Sequence, residues 1–434
     1  MASEAAVQRQ VEQLESQTID PKTDLSGSKQ QGTSDGAAPE YVPVPFQSYT
    51  TVHQKTKLAI ERLMKFKTAS KVQDQIISRL PIERDIMIKA KTGTGKTTAF
   101  LVPAIETLLR EYEKDPARAS NGRAVGCLIV SPTRELAKQI ATEAEKLVKF
   151  HGWNVQSLVG GERSRDQLNS LARNRSDIVI GTPGRILDFM ENQPMFQNLA
   201  SKTKLLVFDE ADVLLQMGFR REIGEIIANV PTDRQTFLVS ATIDKKIKEL
   251  APEVFHRGFD LVDCVEKGET NTHHNVKQEY ITVENSQHFP VLCDAMQTHI
   301  SKNKAEGHGS KIIVFMPTTK SADMNSRPAG ERVEVFLLHG KMTQEARSRI
   351  SDRFRNSPVD ANTTSILITT DVSARGVDYP NVSMVMQVGI PTEAEAYIHR
   401  LGRTGRAGKS GEGVILLNSI ETKFLKQLKN VPIK

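Results

Sequence analysis

The sequence predicts an α/β protein of two tandem domains, each a doubly wound parallel sheet, behind a disordered N-terminal tail. Three observations carry this. Apolar runs of strand length alternate with amphipathic segments from residue 85 onward. The alternation stops at a polar stretch and restarts after residue 275. The first forty residues are poor in aromatics and rich in Gln, Ser, Gly and Asp, a composition that cannot bury enough apolar surface to fold alone. Repeated strand–helix alternation argues for a parallel sheet covered by helices.

The tail (1–44) is acidic, with 3 Lys/Arg against 7 Asp/Glu in its first forty residues. It has neither the Arg-rich, acid-poor look of a mitochondrial presequence nor the apolar core of a secretory signal. Domain one (45–262) contains the runs DIMIKA (85–90), GCLIVS (126–131), NVQSLVGG (154–161), SDIVIGT (176–182), KLLVFDEAD (204–212) and QTFLVSAT (235–242). They read as buried strands, although periodicity alone does not separate them from buried helix. Between them Leu136, Ile140, Ala144 and Leu147 recur on one helical face. A polar linker (263–275) follows. Domain two (276–434) contains KIIVFMP (311–317), VEVFLLHG (333–340), SILITTDVS (365–373), SMVMQVG (383–389) and GVILLNS (413–419), with a last helix over 421–430. The runs do not repeat in sequence, which excludes a solenoid.

The 434 residues suit two or three domains, and 38% hydrophobic with 25% charged residues suits a globular chain. No apolar run is long enough to span a membrane. Cys127, Cys264 and Cys293 are too far apart for a disulfide framework or zinc knuckle, which points to a reducing compartment. His273 and His274 have no metal-ligand spacing around them and read as solvated; Trp153 reads as packing. The net charge of +6 conceals more: domain one with the linker carries 34 basic and 29 acidic residues, and domain two 21 and 16. That balance permits a nucleic-acid partner without requiring one.

Open sheets bind ligands at the carboxyl ends of their strands. The motifs fall there. AKTGTGKTTAF (90–100) follows the first run. Gly93 and Gly95 allow close backbone approach to phosphate, and a helix starting near Lys96 adds its dipole. Lys96 would reach the β/γ-phosphates and the Thr97 hydroxyl a Mg²⁺ ion. Ala90 stands where the general phosphate-loop pattern has Gly, so a plain Gly-rich turn is the competing reading. An apolar strand ending in Asp209-Glu210 is a Walker B arrangement: the first carboxylate holds Mg²⁺, and the second orients and deprotonates water. Alone it would read as a solvated acidic turn. Ser240 and Thr242 end the next strand, as a helix cap or as hydrogen-bond partners of the acidic motif. Arg400, Arg403 and Arg406 crowd HRLGRTGR (399–406), suited to phosphoryl-transfer charge or to an RNA backbone. TTDVSARGVD (369–378) adds Arg375, Asp371 and Asp378, whose carboxylates could take ribose hydroxyls or order the loop.

Together these residues resemble the DEAD-box ATP-dependent RNA helicases. AKTGTGKT looks like motif I of that family, Ala90 included. PTREL (132–136) looks like motif Ia, Gly160-Gly161 and TPGR (182–185) like RNA-contacting elements, and DEAD (209–212) and SAT (240–242) like motifs II and III. IVFMPTTK with Arg347, TTDVSARGVD and YIHRLGRTGRAG look like motifs IV to VI. The resemblance covers about residues 45–430 and implies two RecA-like domains, with ATP between them and RNA across both. It implies an ATP site of Gln73, Ala90, Lys91, Thr92, Gly93, Thr94, Gly95, Lys96, Thr97 and Asp378, with Thr97 and Asp209 on Mg²⁺. Lys96, Asp209, Glu210 and the arginine fingers Arg403 and Arg406 would be catalytic. Asp212, Ser240, Thr242 and His399 would couple ATP to RNA, which Arg134, Gly161, Thr182, Arg185, Arg347 and Thr370 would contact. RNA-stimulated hydrolysis, duplex unwinding or RNA–protein remodelling, low sequence specificity and a monomer are expected. An ATP-dependent RNA clamp with little unwinding is the alternative, and the motif spellings disfavour a DNA translocase.

Three departures stand out. In SKVQ (70–73) Lys71 replaces the usual Pro of the adenine-reading Q motif, with Phe46 or Tyr49 as its upstream aromatic. SADMNSRPAGERVEV (321–335) is too polar, with Pro328 and Gly330, for the expected amphipathic helix and predicts low local stability. The chain ends soon after motif VI, while 205–212, 368–379 and the motif VI stretch look most like the fungal mitochondrial intron-splicing DEAD-box chaperones and their plant relatives. Those carry a further C-terminal domain and basic tail, expected to be absent here. Splicing and the mitochondrial matrix, with cytoplasm or nucleus as alternatives, rest on resemblance alone.

Overall fold

The computed structural model describes residues 2–16, 41–91, 93–117, 124–256, 258–265, 276–324, 333–360, 363–371, 379–405, 409–428 and 431–434. Domain one is a seven-stranded sheet of β1 (Asp85–Lys89), β2 (Cys127–Val130), β3 (Val155–Leu158), β4 (Ile178–Gly181), β5 (Leu205–Phe208), β6 (Gln235–Ser240) and β7 (Phe259–Asp263). Its order is β3-β4-β2-β5-β6-β1-β7, parallel throughout. Domain two has β8 (Val276–Thr282), β9 (Ser310–Phe315), β10 (Val333–Leu338), β11 (Thr364–Thr369), β12 (Met384–Val388) and β13 (Gly411–Leu417). These too are parallel, in the order β10-β11-β9-β12-β13-β8. Central strands β2, β4, β5 and β9 are buried along their whole length because helices cover both faces, so they lack alternation. No described helix is long and apolar enough to cross a membrane.

Each face of the first sheet has its own core. One gathers Phe100, Ile105 and Leu108 of helix Lys96–Lys114 with Leu136, Ile140, Ala144 and Leu147 of helix Arg134–Val148. The other gathers Phe189, Phe196, Leu214 and Ile247. Trp153 packs at the edge of the first core, its ring 5.0 Å from that of Tyr112.

One segment of the expected tail lies against domain one. Residues Ala2–Ser16 form a helix that buries Val7 and Val11 in the second core. Gln10 receives the Phe259 N–H and donates to the Phe259 carbonyl, both at 3.1 Å. A side-chain amide thus stands in for the neighbour that edge strand β7 lacks. Residues 17–40 lie outside the described part, as do His273, His274 and residues 325–332 of the proline-interrupted connection. The terminal helix expected over 421–430 is a 3-10 helix, Glu421–Gln427. Asn418 Oδ1 accepts from both Ile420 N and Glu421 N, which tightens its start.

In domain two, Glu412 of β13 lies 2.7 Å from His299 Nδ1 and 2.7 Å from Lys302 Nζ. His299, then Lys302, hold its pKa at about 2 against the opposing effect of burial. A depressed carboxylate stabilises the fold above its unfolded pKa and loses that contribution as pH falls toward the folded value. Glu412→Gln is therefore expected to melt below the wild type at pH 7, with the gap closing between about pH 4 and pH 2. A gap constant down to pH 2.5 in a calorimetric series would contradict the assignment.

Candidate functional site

The motifs converge because parallel strands end on one edge. After β1 the chain crosses to β6, with Ala90 N on Ser240 O, and then turns through Gly93 and Gly95 at φ 76° and 91°. Only glycine takes this conformation cheaply. A Cβ on Gly95 would also fall 2.6 Å from Gln73 Nε2. Thr94 Oγ1 closes the turn on Lys91 O at 2.8 Å. Helix Lys96–Lys114 then begins without a side-chain cap, so its first N–H groups and its dipole are open to an anion. Thr97 is half-buried in its first turn.

The loop is buttressed by helix Lys71–Ile77. Ser70 caps this helix reciprocally with Gln73, whose Oε1 accepts from Ser70 N at 2.9 Å. This capping box starts the helix without a proline and accounts for Lys71. Ser70 Oγ donates to Thr94 O at 2.9 Å, and Gln73 Nε2 to Gly95 O at 3.2 Å. The structure thus engages Gln73 in bracing the phosphate loop. Phe46 is core, and the Tyr49 hydroxyl is tied to Asp74.

β5 ends opposite the loop. Asp209, Glu210 and Asp212 are all buried, and Glu210 sits at φ 49°, a left-handed conformation costly for a residue with a Cβ. Burial, then the neighbouring Glu210, push the Asp209 pKa up, while Lys96 opposes them. Lys96 Nζ and Glu210 Oε2 are buried without a hydrogen-bond partner among the described residues. An orphaned ammonium and an orphaned carboxylate oxygen beside an uncapped helix start suit a polyphosphate, a divalent cation and a water. Thr242 Oγ1 reaches Asp212 Oδ2 at 3.4 Å, and Ser240 Oγ receives Thr242 N at 3.4 Å, so the SAT strand end does bond the acidic motif.

In domain two, helix Ala394–Leu401 carries buried His399 and Arg400, and Arg403 follows, donating from Nε to His399 O at 3.3 Å. Arg400 clasps Asp371 with Nε–Oδ1 2.6 Å and Nη2–Oδ2 2.9 Å. The Asp371 carboxylate is thus taken up by Arg400. Thr92, Arg375, Asp378 and Arg406 lie outside the described residues.

A cleft of about 940 Å³ lies between the domains. Arg134, Thr182, Arg185 and Arg347 line it together; Gly161 and Thr370 are represented by their neighbours Gly160 and Asp371. Gly160 leaves room for Arg134: a Cβ there would lie 3.1 Å from Arg134 Nη2 and would push that guanidinium aside. The sequence reading missed that Arg347 pairs with buried Glu135 across the domains at 2.7 Å. It also missed the Met217–Phe219 wall. Nothing local marks residues 212 positions apart as partners.

The family model for DEAD/DEAH box helicases matches residues 70–250, and that for the helicase conserved C-terminal domain matches 288–408. DEAD-box ATP-dependent RNA helicase 26 of Oryza sativa subsp. japonica is 40% identical over 370 residues, covering 85% of this chain and 66% of that protein. DEAD-box ATP-dependent RNA helicase 25 of the same organism is 38% identical, covering 94% of this chain and 70% of that protein. Against Arabidopsis thaliana helicases 25 and 31 the chain spans only 64% and 50% of their length. Among solved structures, Mss116p bound to single-stranded RNA and AMP-PNP aligns with a TM-score of 0.79 at 31% identity, over 90% of this chain and 78% of that one. S. cerevisiae Dbp5 bound to RNA and ADP BeF3 aligns at 0.73 and 27%, over 90% and 95%. With the motifs, the two sheets and relatives matched across most of its length, this chain belongs to the DEAD-box ATP-dependent RNA helicase family.

Proposed function

We propose that the protein hydrolyses ATP in an RNA-stimulated manner to unwind short duplexes or remodel RNA and RNA–protein complexes. The observation that carries this is the orphaned pair Lys96 Nζ and Glu210 Oε2, buried where the phosphate loop faces the acidic motif. Lys96 and the loop amides hold the β- and γ-phosphates. Glu210 takes the proton of the attacking water, and Arg403 with Arg406 meets charge developing on the transferred phosphoryl group. Thr97 and Asp209 would hold Mg²⁺, which when bound neutralises phosphate charge. RNA backbone occupies the cleft against Arg134, Gly161, Thr182, Arg185, Arg347 and Thr370, and Asp378 meets the ribose. The Asp212–Thr242 contact and His399 connect the two sites.

Hydrolysis with and without single-stranded RNA tests this: RNA is expected to raise the rate at least tenfold, and single-stranded DNA to do far less. Equal rates in all three conditions overturn the reading. The resemblance to mitochondrial splicing chaperones extends it to an RNA chaperone of the mitochondrial matrix. Import of a full-length tagged protein checks the compartment, and a purely nuclear signal rejects it.

A further inference from the structure

We propose that Glu162 and Gln167 form a positioning bracket that locks three RNA-facing elements of domain one into one surface and aims Arg185; this rests on the reading that the cleft holds RNA backbone. Gln167, on helix Ser164–Arg173, is 7% exposed and does not line the cleft. Its Nε2 donates to Val159 O at 3.0 Å and to Glu162 Oε2 at 2.9 Å. Those two acceptors use both amide protons, so the amide has one orientation. Its Oε1 accepts from Arg185 Nη1 at 2.6 Å.

Glu162 completes the bracket. Its backbone carbonyl accepts from Arg185 Nη1 and Nη2 at 3.4 and 3.3 Å. Its Oε1 lies 2.5 Å from Lys138 Nζ. Burial raises the Glu162 pKa, yet Lys138 and Gln167 hold it below its ordinary value. Lys138 belongs to helix Arg134–Val148, which opens with Arg134. Glu162 directly follows Gly160-Gly161, and Arg185 lies in helix Pro183–Asn192. The motif Ia helix, the glycine doublet and the TPGR helix are thereby joined by side chains that do not line the cleft.

An arginine side chain has high rotamer entropy, and fixing it before a ligand arrives removes part of the cost of binding. A guanidinium has five donors, so anchoring one part leaves others for phosphate. Gln167 lacks contact with either substrate in this reading and acts on RNA chiefly through Arg185, which it aims. Its loss should weaken RNA capture and spare chemistry.

The test is steady-state ATP hydrolysis titrated with a ten-nucleotide single-stranded oligoribonucleotide, for wild type, Gln167→Leu, Glu162→Gln, Arg185→Ala and Gln167→Leu with Arg185→Ala. Gln167→Leu is expected to raise the RNA KM about tenfold, with kcat at saturating RNA and RNA-free hydrolysis within twofold. In the Arg185→Ala background it should add less than twofold. Glu162→Gln, which leaves the buried amide in place, should raise the RNA KM severalfold and covers the case in which Gln167→Leu does not fold. An unchanged KM in both bracket variants, fully additive losses, or a fall in RNA-free hydrolysis equal to the loss with RNA overturns the bracket. No RNA stimulation of the wild type, or an Arg185→Ala KM equal to wild type, instead overturns the RNA reading of the cleft.

Discussion

Glu210→Gln is expected to lower RNA-stimulated ATP hydrolysis about a thousandfold, the middle of the range for removing a positioned general base. The substitution is nearly isosteric, so the left-handed backbone at Glu210 and its burial are retained. What changes is chemistry: an amide oxygen cannot take up a proton at neutral pH. The variant also loses the negative charge that helps push the Asp209 pKa up, which favours the Asp209 carboxylate. ATP affinity should therefore stay within about threefold of wild type, because a factor of three is under 1 kcal/mol. Single-turnover hydrolysis with saturating RNA, beside equilibrium nucleotide binding, separates the two effects. A rate within tenfold of wild type would place the base elsewhere.

Asp371→Ala should destabilise domain two by about 2 kcal/mol, below the usual cost of breaking a buried pair because the Asp371 side chain is 46% exposed. The penalty falls on Arg400, whose side chain is only 4% exposed and lies over the Phe315 ring at 5.4 Å. With Asp371 gone, a buried guanidinium loses both charge-assisted bonds and keeps a 3.5 Å approach to Gln387 Oε1 beside the Phe315 ring. The melting temperature should fall by about 5 °C. Adding Arg400→Met should recover part of the loss, since an apolar chain tolerates the site better than an unpaired cation. A double variant melting below Asp371→Ala alone would show that the guanidinium is held by something other than Asp371.

Much of the architecture was legible in the sequence because central strands are apolar throughout. The runs at 126–131 and 204–212 contain β2 and β5 as expected. Two of the four edge strands were not legible: β7 and β8, with polar residues at alternate or scattered positions, escaped a search for apolar runs, whereas edge strands β3 and β10 fell within the runs at 154–161 and 333–340. Helix Ala2–Ser16 escaped for a related reason, since only Val7 and Val11 among its described side chains enter a core. The phosphate loop and acidic motif were legible because their chemistry is local, each a short segment at one strand end. The pairings Glu135–Arg347 and Gln167–Arg185 were not, because they depend on how distant segments are brought together.

The place of β1 in the sheet has a temporal consequence. β1 carries the phosphate loop, yet its ladder partners are β6 and β7, the last two strands of the domain in chain order. During synthesis the loop leaves the ribosome with the first strand, and the neighbours that hold it arrive only once residue 263 has been made. Such pairing closes long loops late and is slow. A nascent chain bearing the complete AKTGTGKT motif thus has no formed nucleotide pocket until its first domain is whole.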